Sequence, residues 1–506
     1  MAPVCDCSTC EAFVGLFASP EECLWLFGDY HLQSLFEDMN LSTVSHFAVD
    51  WDFLKAYLCQ RDAHFAIHWD WITNIRQSLD SPTSLKDDGA GKVIGKDAER
   101  IERLRYQLLH ERGENLDASD IQAAEMLDSL FAILTHRETT SLRHLRRILD
   151  DPAFVPDAVA QLEWCMDPKV PLDQVLASSR RLTKEHFAAI SHQSDLAGPA
   201  PWPMFLYAPL YLSSYCVNHC LYCGFRFPEA VPRRILSAEE AVRQIGLLVE
   251  RGMRHILLVA GDYPQKTNTD YYVDTIRAIR RHWPVSLAVE IAPQSTASYA
   301  RLVEAGIIGV TLYQETYDWN LYRGCHPQGP KSHYDWRLEG LERAAEAGVQ
   351  RLGLGILLGL ADPVPDARAM VRHAYYLKER FPNRRIAFSL PRIHAGPEGF
   401  RVPHPVNDET LIRLYCGLRH AMPDAELVLS TREPWQLRDL LAATCITQLS
   451  AGSSTVPGGY GESATHFGDE HDGQFRVVDR RPVNEVIAML QTQGHPIVWQ
   501  PTGHNN

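Results

Sequence analysis

The second half of the chain alternates short apolar runs, rich in β-branched residues, with longer amphipathic stretches, and this alternation restricts the fold more than any other feature. A strand–helix repeat of this kind predicts parallel strands joined by crossover helices. Eight consecutive repeats match the closed barrel that an α/β chain forms from eight strands. The predicted strands are 205–213, 255–261, 286–293, 309–316, 351–359, 385–393, 427–432 and 447–454.

Amphipathic segments with helical spacing separate these strands, so we predict an α/β fold: a (β/α)8 barrel of the TIM type. In such barrels the loops that follow the strands, at the C-terminal face, carry the chemistry. The predicted helices are 238–251, 271–283, 298–305, 336–347, 366–381, 409–421 and 436–443, and a further helix, 483–493, follows the last strand and a Gly-rich loop.

The first 200 residues lack this alternation and predict a mostly helical N-terminal extension to the barrel. A helical stretch over 157–192 is expected to break at Pro168 and Pro171, because proline cannot continue a helix. The predicted divisions are an extension of unassigned role at 1–80, a linker and helix at 81–118, a helical lead-in at 119–200, and the barrel with a C-terminal tail at 201–506.

The composition is that of a chain with a large packed core. Apolar residues make up 45% of the 506 residues, and the net charge of −14 disfavours a nucleic-acid surface. Twelve cysteines are too sparse for a disulfide scaffold, and no apolar run reaches the roughly 18 residues of a membrane span. Cys5, Cys7 and Cys10 are either metal ligands or reduced thiols of a tail. We therefore expect a cytoplasmic protein without nucleic-acid or membrane partners.

Three cysteines, Cys216, Cys220 and Cys223, follow the first predicted strand with the spacing Cys-x3-Cys-x2-Cys. Three thiolates on one short loop can hold three irons of a four-iron cluster and leave the fourth iron open to a small molecule. A structural zinc site would normally take a fourth Cys or His nearby. A zinc knuckle and three unrelated core thiols are the alternatives.

Tyr222 before the last cysteine and Gly224 after it complete a motif that resembles the cluster loop of radical S-adenosylmethionine (SAM) enzymes. The chain is further similar to the radical SAM tyrosine lyases. That family includes the 2-iminoacetate synthases of thiamine thiazole biosynthesis and the tyrosine lyases that mature the [FeFe]-hydrogenase cofactor. The likeness spans about residues 200–500 and rests on segments 207–213, 313–317, 326–331, 353–355, 389–392, 429–433, 450–453 and 457–460.

The resemblance implies a [4Fe-4S] cluster on Cys216, Cys220 and Cys223, with SAM on its open iron. Reductive cleavage of SAM would start a radical reaction that breaks the Cα–Cβ bond of tyrosine and yields 2-iminoacetate (dehydroglycine) and p-cresol. The protein would supply orientation and a dry cavity. The implied partners are a one-electron donor of the flavodoxin or ferredoxin type and a thiazole synthase.

Two groups of the family fit this sequence differently. The hydrogenase maturation enzymes hold a second cluster on C-terminal cysteines, whereas no cysteine follows Cys445 here, so we expect the thiamine-pathway reaction. A maturase-like tyrosine lyase, and a lyase acting on tryptophan or another aromatic amino acid, are the alternatives. An inactive barrel that serves as a scaffold is a further alternative, against which the intact cysteine loop argues.

Residues at the ends of predicted strands are the candidate cofactor contacts. Gly261 and Asp262 end the second strand, where radical SAM barrels usually place Gly-Glu against the SAM amine, so this carboxylate is one methylene shorter. A helix N-cap or turn is the alternative role for Asp262. The resemblance also assigns Tyr222 and Glu315 to cofactor binding, with a structural ion pair as the alternative for Glu315.

A tyrosine substrate is a zwitterion whose carboxylate needs a cation in a low-dielectric pocket. Arg432, at the end of the seventh strand, is the candidate because a guanidinium binds a carboxylate through two parallel hydrogen bonds. The resemblance adds Ser450 and Ser453 as further donors, and Arg392 as a residue that contacts SAM or orders the pocket. The alternatives are an ion pair of Arg432 with Glu433 or another strand-end acid, and a structural ion pair of Arg392.

Overall fold

In the computed structural model of this chain, the described residues are 139–188, 202–227, 231–263, 266–461 and 473–499. The chain divides into two compact units, Met1–Ser141 and Leu142–Asn506, and nearly all described residues belong to the second. The predictions for 1–118, with Cys5, Cys7 and Cys10, lie outside the described residues. None of the helices within these ranges is long and apolar enough to span a membrane.

Eight parallel strands of the described chain form a closed barrel, as the strand–helix alternation predicts. Each strand pairs with the next along the chain, and β1 closes the ring by pairing with both β2 and β8. The strands are β1 Met204–Ser213, β2 His255–Ala260, β3 Ser286–Glu290, β4 Ile307–Thr311, β5 Arg351–Gly355, β6 Arg385–Ser389, β7 Glu426–Leu429 and β8 Gln448–Ser450, and a short β9, Ile497–Val498, pairs with the start of β1.

Helices connect consecutive strands, and three described helices precede β1. The segment predicted as a broken helix forms two helices, α2 and α3. The first ends before Pro168, and the second begins after Pro171, which is its N-cap. The helices are α1 Thr139–Asp150, α2 Pro156–Met166, α3 Leu172–Phe187, α4 Ala238–Glu250, α5 Thr269–His282, α6 Thr296–Ala305, α7 Trp319–Cys325, α8 Tyr334–Leu338, α9 Gly340–Glu346, α10 Pro363–Arg380, α11 Asp408–Ala421, α12 Trp435–Ala442 and α13 Val483–Thr492.

Several barrel helices begin where the sequence supplies a capping side chain. At α4, the Ser237 hydroxyl accepts the backbone N–H of Glu240, and the Glu240 carboxylate accepts the backbone N–H of Ser237. Asn268 and Asn407 cap α5 and α11. These side chains satisfy amide groups that the first helical turn leaves without partners, so the starts of these helices follow from local sequence.

Several strands end earlier than predicted: β4 ends at Thr311 and β5 at Gly355, against 316 and 359. The apolar pattern continues past the hydrogen-bonded ladder because residues such as Leu357 and Ile393 remain buried at the barrel mouth. Hydrophobicity reports burial and not strand pairing, so the pattern overestimates strand length. The pattern also missed α7 and β9, which are too short to show a period.

The two faces of each strand have different environments. On β1, Leu206, Ala208 and Leu210 are fully buried in the main core, while Tyr207 and Tyr211 belong to separate clusters. Successive side chains on a strand alternate between its faces. Tyr207 lines an internal cavity of the barrel, so the tyrosines of β1 face the interior.

Candidate active site at the barrel mouth

The three cysteines lie on the loop after β1, at the C-terminal mouth of the barrel. Cys220 and Cys223 are buried, and Cys216 is half-buried. All three pack in one apolar cluster that includes Tyr211 and Phe225. The loop thus brings three thiols together in surroundings that are largely shielded from water.

Amide N–H groups face the sulfur atoms of this loop. The backbone N–H of Phe225 lies 3.4 Å from Cys223 Sγ, and Gln474 Nε2 lies 3.7 Å from the same atom. Burial raises the pKa of Cys216 to about 11, and amide hydrogen bonds from Asn218 and Asp262 oppose that rise. Hydrogen bonds of this kind stabilise thiolate ligands of iron–sulfur clusters.

Asn218 connects the cysteine loop to two other loops. Its Nδ2 donates to Asp262 Oδ2 at 3.0 Å, and its Oδ1 accepts the backbone N–H of Lys331 at 2.8 Å. The backbone N–H of Val217 also donates to the Asp262 carbonyl at 2.8 Å. Asp262 therefore orders the cysteine loop, while Asn268 and not Asp262 caps the following helix.

Two glycines allow these loops to approach one another. A Cβ at Gly261 would overlap the carbonyl oxygen of Tyr215. A Cβ at Gly329, where φ is +94°, would collide with Asn218. Gly261, which the sequence assigns to cofactor binding, is thus required for packing against the cysteine loop.

The donor set fits a [4Fe-4S] cluster with one open iron. A fourth thiol, Cys325, lies in the same apolar cluster, but it is the last residue of α7 and does not belong to the cysteine loop. Among the described residues, no three or more His, Cys, Asp or Glu side chains are placed to hold a metal ion. An iron–sulfur cluster spreads its thiolates over separate irons and does not need such convergence.

Tyr222, assigned to cofactor binding from the sequence, is buried and contacts His326. Its hydroxyl lies 2.8 Å from His326 Nε2, and His326 Nδ1 lies 2.7 Å from the Tyr322 carbonyl oxygen. A carbonyl can only accept, so Nδ1 carries the proton and Nε2 accepts from Tyr222. Burial lowers the pKa of His326 well below its usual value, which keeps the ring neutral. Tyr222 therefore anchors the cysteine loop to the loop that follows α7.

Glu315 lies beyond β4 in an unusual backbone conformation. Its φ is +72°, which residues other than glycine rarely adopt. Its buried carboxylate accepts from Lys331 Nζ at 2.6 Å and lies 3.5 Å from Arg337 Nη2. Glu315 thus forms a structural ion pair, which was the alternative to a role in cofactor binding. Lys331 is also the main charge that opposes the raised pKa of Cys220, so the pair lies beside the cysteine loop.

Arg432, just beyond β7, has an unsatisfied guanidinium. The group lies over the Phe475 ring, 3.4 Å from the centroid. Its Nη1 is buried and has no hydrogen-bond partner among the described residues. A buried donor without a partner costs about 1–3 kcal/mol, which an incoming carboxylate would recover. The alternative pair with Glu433 does not form, because Glu433 pairs with Arg392.

The other three substrate candidates differ in whether their polar atoms are engaged. Arg392 donates to Glu433, which is the structural ion pair given as its alternative. Ser450 Oγ accepts the backbone N–H of Thr431 at 2.9 Å and so holds the residue before Arg432. Ser453 Oγ is buried without a partner in the described part of the chain, which leaves it available to a ligand.

Gln474 and Phe475, far along the chain, connect the cysteine loop to Arg432. Gln474 Oε1 accepts from the Tyr211 hydroxyl at 2.8 Å, while its Nε2 faces Cys223. Phe475 supplies the ring beneath the Arg432 guanidinium. Sequence analysis missed both residues, because they lie in a loop without a motif or a period.

Sequence analysis also missed Glu290, the last residue of β3. Burial raises the pKa of its carboxyl to about 7, and the charge of Arg432 is the largest that opposes the rise. An acidic residue inside the apolar run of a predicted barrel strand, here 286–293, is the signal that would have identified it.

Two family models match the chain. Residues 210–374 match the model described as Radical SAM superfamily, and residues 390–496 match the Biotin and Thiamin Synthesis associated domain. The first match includes the cysteine loop. The second includes Arg432, Ser453, Gln474 and Phe475.

Known proteins are similar to this chain over most of their own length. The 2-iminoacetate synthase of Escherichia coli (strain K12) is 34% identical over 331 residues, which are 65% of this chain and 82% of the relative. A crystal structure of HydG, described as a maturase of the [FeFe]-hydrogenase, is 31% identical, with a TM-score of 0.59 over 72% of this chain and 80% of that chain. The structure of HydG from Carboxydothermus hydrogenoformans is 28% identical, with a TM-score of 0.60 over 81% of this chain and 85% of that chain.

Proposed function

The chain belongs to the radical SAM family of 2-iminoacetate synthases, and we propose that it cleaves the Cα–Cβ bond of tyrosine to give 2-iminoacetate and p-cresol. The observation that carries the proposal is the guanidinium of Arg432, whose Nη1 is buried without a hydrogen-bond partner in the described ranges, at the same barrel mouth as the cysteine loop. A cation in this state is suited to bind the carboxylate of an amino acid beside the cluster.

Cys216, Cys220 and Cys223 would hold a [4Fe-4S] cluster, with SAM on its open iron. When bound, this pair supplies the one-electron cleavage that starts radical chemistry. Asp262 and Glu315 are the proposed SAM contacts, together with the close backbone approach at Gly261. Asp262 also orders Asn218, and Glu315 orders Lys331. Movement of either carboxylate would therefore displace the cysteine loop.

Tyrosine would lie between Arg432 and the cysteine loop. Arg432 would bind its carboxylate, and the unengaged hydroxyl of Ser453 would donate a further hydrogen bond. Arg392 and Ser450 would act as positioning residues: Arg392 holds Glu433 next to Arg432, and Ser450 holds the backbone before it.

The proposal also implies partners and a compartment. The cluster must receive one electron, so we infer a donor of the flavodoxin or ferredoxin type. An iron–sulfur cluster of this kind needs a reducing environment, which favours the cytoplasm. The imine product hydrolyses readily in water, so an enzyme that consumes it, such as a thiazole synthase, is the proposed downstream partner.

Anaerobic reconstitution tests the proposal. We expect the reconstituted protein, given SAM, dithionite and L-tyrosine, to release 5′-deoxyadenosine, p-cresol and glyoxylate, the hydrolysis product of 2-iminoacetate. Cys220→Ala should abolish all three products. Arg432→Ala should raise the KM for tyrosine roughly tenfold or more while the iron content stays unchanged, because it removes a charge-assisted contact with the substrate only.

Other product patterns would contradict the proposal in distinguishable ways. Cyanide in place of glyoxylate would indicate a maturase-like reaction, and an indole product from tryptophan would indicate a different substrate. A correctly loaded cluster that releases no 5′-deoxyadenosine would indicate a scaffold. An unchanged KM in Arg432→Ala would refute the carboxylate assignment alone.

A further inference from the structure

Glu290 is a carboxylic acid at the barrel mouth that has no direct partner among the residues that the structure describes. It ends β3, two residues after Ala288, which lines the internal cavity. Side chains two apart on a strand share a face, so Glu290 points into the barrel. Within the described part of the chain its carboxylate takes part in no hydrogen bond or ion pair.

The charges that act on Glu290 come from several sides of the barrel. Arg432 exerts the largest of them, followed by Glu315, Lys331 and Arg337. Arg432 follows β7, which is four strands away from β3 in the ring and therefore opposite to it. The two side chains do not form an ion pair, so a gap separates the carboxylate from the guanidinium.

An acid and a guanidinium that face each other across a gap are complementary to a zwitterion. Arg432 has a buried Nη1 without a hydrogen-bond partner in the part of the chain that the structure describes. Glu290 forms no ion pair with a cation among the described residues, and burial makes its charged form unfavourable. The ammonium group of an amino acid would supply the missing cation, just as its carboxylate would supply the missing anion for Arg432.

We propose that Glu290 binds the α-ammonium group of the substrate, opposite Arg432, and so restricts the site to α-amino acids. The inference rests on the proposed function, since it takes the ligand of Arg432 to be an amino acid carboxylate. Glu290 is thus a substrate-binding and specificity-determining residue that the cysteine motif and the strand-end arginine do not reveal.

Ligands that lack one charge each test this assignment. Binding to the anaerobically reconstituted protein is measured by calorimetry for L-tyrosine, for tyramine, which lacks the carboxylate, and for 3-(4-hydroxyphenyl)propionate, which lacks the ammonium group. Glu290→Gln should weaken tyrosine and tyramine roughly ten- to hundredfold and leave the propionate unchanged or tighter. Arg432→Gln should weaken tyrosine and the propionate and leave tyramine unchanged.

Glu304→Gln is the matched control, because Glu304 is an exposed acid on α6, the helix that follows β3. It should bind all three ligands like the wild type. Equal weakening of all three ligands in Glu290→Gln, or weakening of none, would overturn the inference while tyrosine still bound to the wild type. A wild-type protein with its cluster in place that bound no tyrosine would overturn the proposed function and, with it, this assignment.

Discussion

Glu290 is half-buried and has no hydrogen-bond or ion-pair partner among the described residues, and such an acid makes the stability of the folded protein depend on pH. The pKa of Glu290 rises from its usual 4.5 to about 7, chiefly because burial disfavours the charged form. The native state therefore holds this proton more tightly than the unfolded state does. The stability that this gives is fully present below pH 4.5 and is lost as the pH rises to about 7.

We therefore expect Glu290→Gln to stabilise the protein without cofactors at pH 8 more than at pH 5. The expected difference in the free energy of unfolding is on the order of 1–3 kcal/mol, measured by urea denaturation at the two pH values. Glu304→Gln, on the exposed side of α6, should change it little at either pH. A stabilisation that is equal at both pH values would show that the carboxyl does not titrate in this range.

Two arginines at strand ends show why residue type alone does not assign a role. Arg392 follows β6 and Arg432 follows β7, so both lie at the C-terminal mouth of the barrel. Arg392 is neutralised by Glu433, whereas Arg432 stacks on Phe475 and keeps a free Nη1 among the described residues. A guanidinium already paired with a carboxylate has little capacity for another, so the unpaired one is the better substrate ligand.

At the scale of elements, the cysteine loop depends on neighbours that are separate in sequence. The loop after β2 contributes Asp262, and the loop after α7 contributes Lys331 and His326. The side-chain amide of Asn218 donates to Asp262 through its nitrogen and accepts the backbone N–H of Lys331 through its oxygen. Both partners must therefore lie in fixed positions. The thiol positions therefore depend on two loops besides the one that carries the cysteines.

Asn218→Ala should loosen the cysteine loop, because it removes both side-chain hydrogen bonds of a buried amide. We expect faster amide hydrogen exchange over residues 214–225 and faster loss of iron to a chelator from the reconstituted protein. The local destabilisation should be about 1–3 kcal/mol.

Asn407→Ala is the control, since it removes a hydrogen bond of another asparagine side chain, at the N-cap of α11. It should lower global stability by about 1 kcal/mol and leave iron retention unchanged. Equal iron loss in both variants would mean that retention follows overall stability and not the contacts of Asn218.

At the scale of the whole molecule, the segment after residue 472 closes the site. The backbone N–H groups of Val478 and Asp479 both donate to the Thr431 carbonyl, next to Arg432. Asp479 pairs with Arg438 of α12, and both side chains are about 1% exposed. The same segment carries Gln474 and Phe475, so its attachment to the barrel fixes both the cysteine loop and the arginine.

Asp479→Asn should strongly destabilise the protein, because it leaves the Arg438 guanidinium buried without its anion. We expect a loss of about 3–5 kcal/mol in the free energy of unfolding, measured by urea denaturation. Arg438→Met combined with Asp479→Leu should lose less, because it removes both charges.

Arg181→Ala provides the comparison, since Arg181 forms an exposed pair with Glu185 at 3.0 Å. Exposed pairs contribute about 0–1 kcal/mol. If Asp479→Asn were no more costly than Arg181→Ala, the buried pair would not be what attaches this segment.

The sequence by itself determined the barrel and the cysteine loop. Strand–helix alternation follows from local hydrophobic patterns, because each strand and each helix has its own spacing of buried residues. The eight strands could therefore be predicted without knowledge of how they pair. The three thiols lie within eight residues on one loop, so their convergence needs no tertiary information. The helix starts at Ser237 and Asn407 follow from local capping for the same reason.

Only the tertiary structure decided which strand-end side chains are engaged and which are open. Arg432 and Arg392 are equivalent in sequence terms, and the pairing of Glu433 with the second became evident only once β6 and β7 lay side by side. Glu290 gained its significance because barrel closure sets β3 opposite β7. Charge–charge interactions and burial depend on distances through space, which no local pattern of residues encodes.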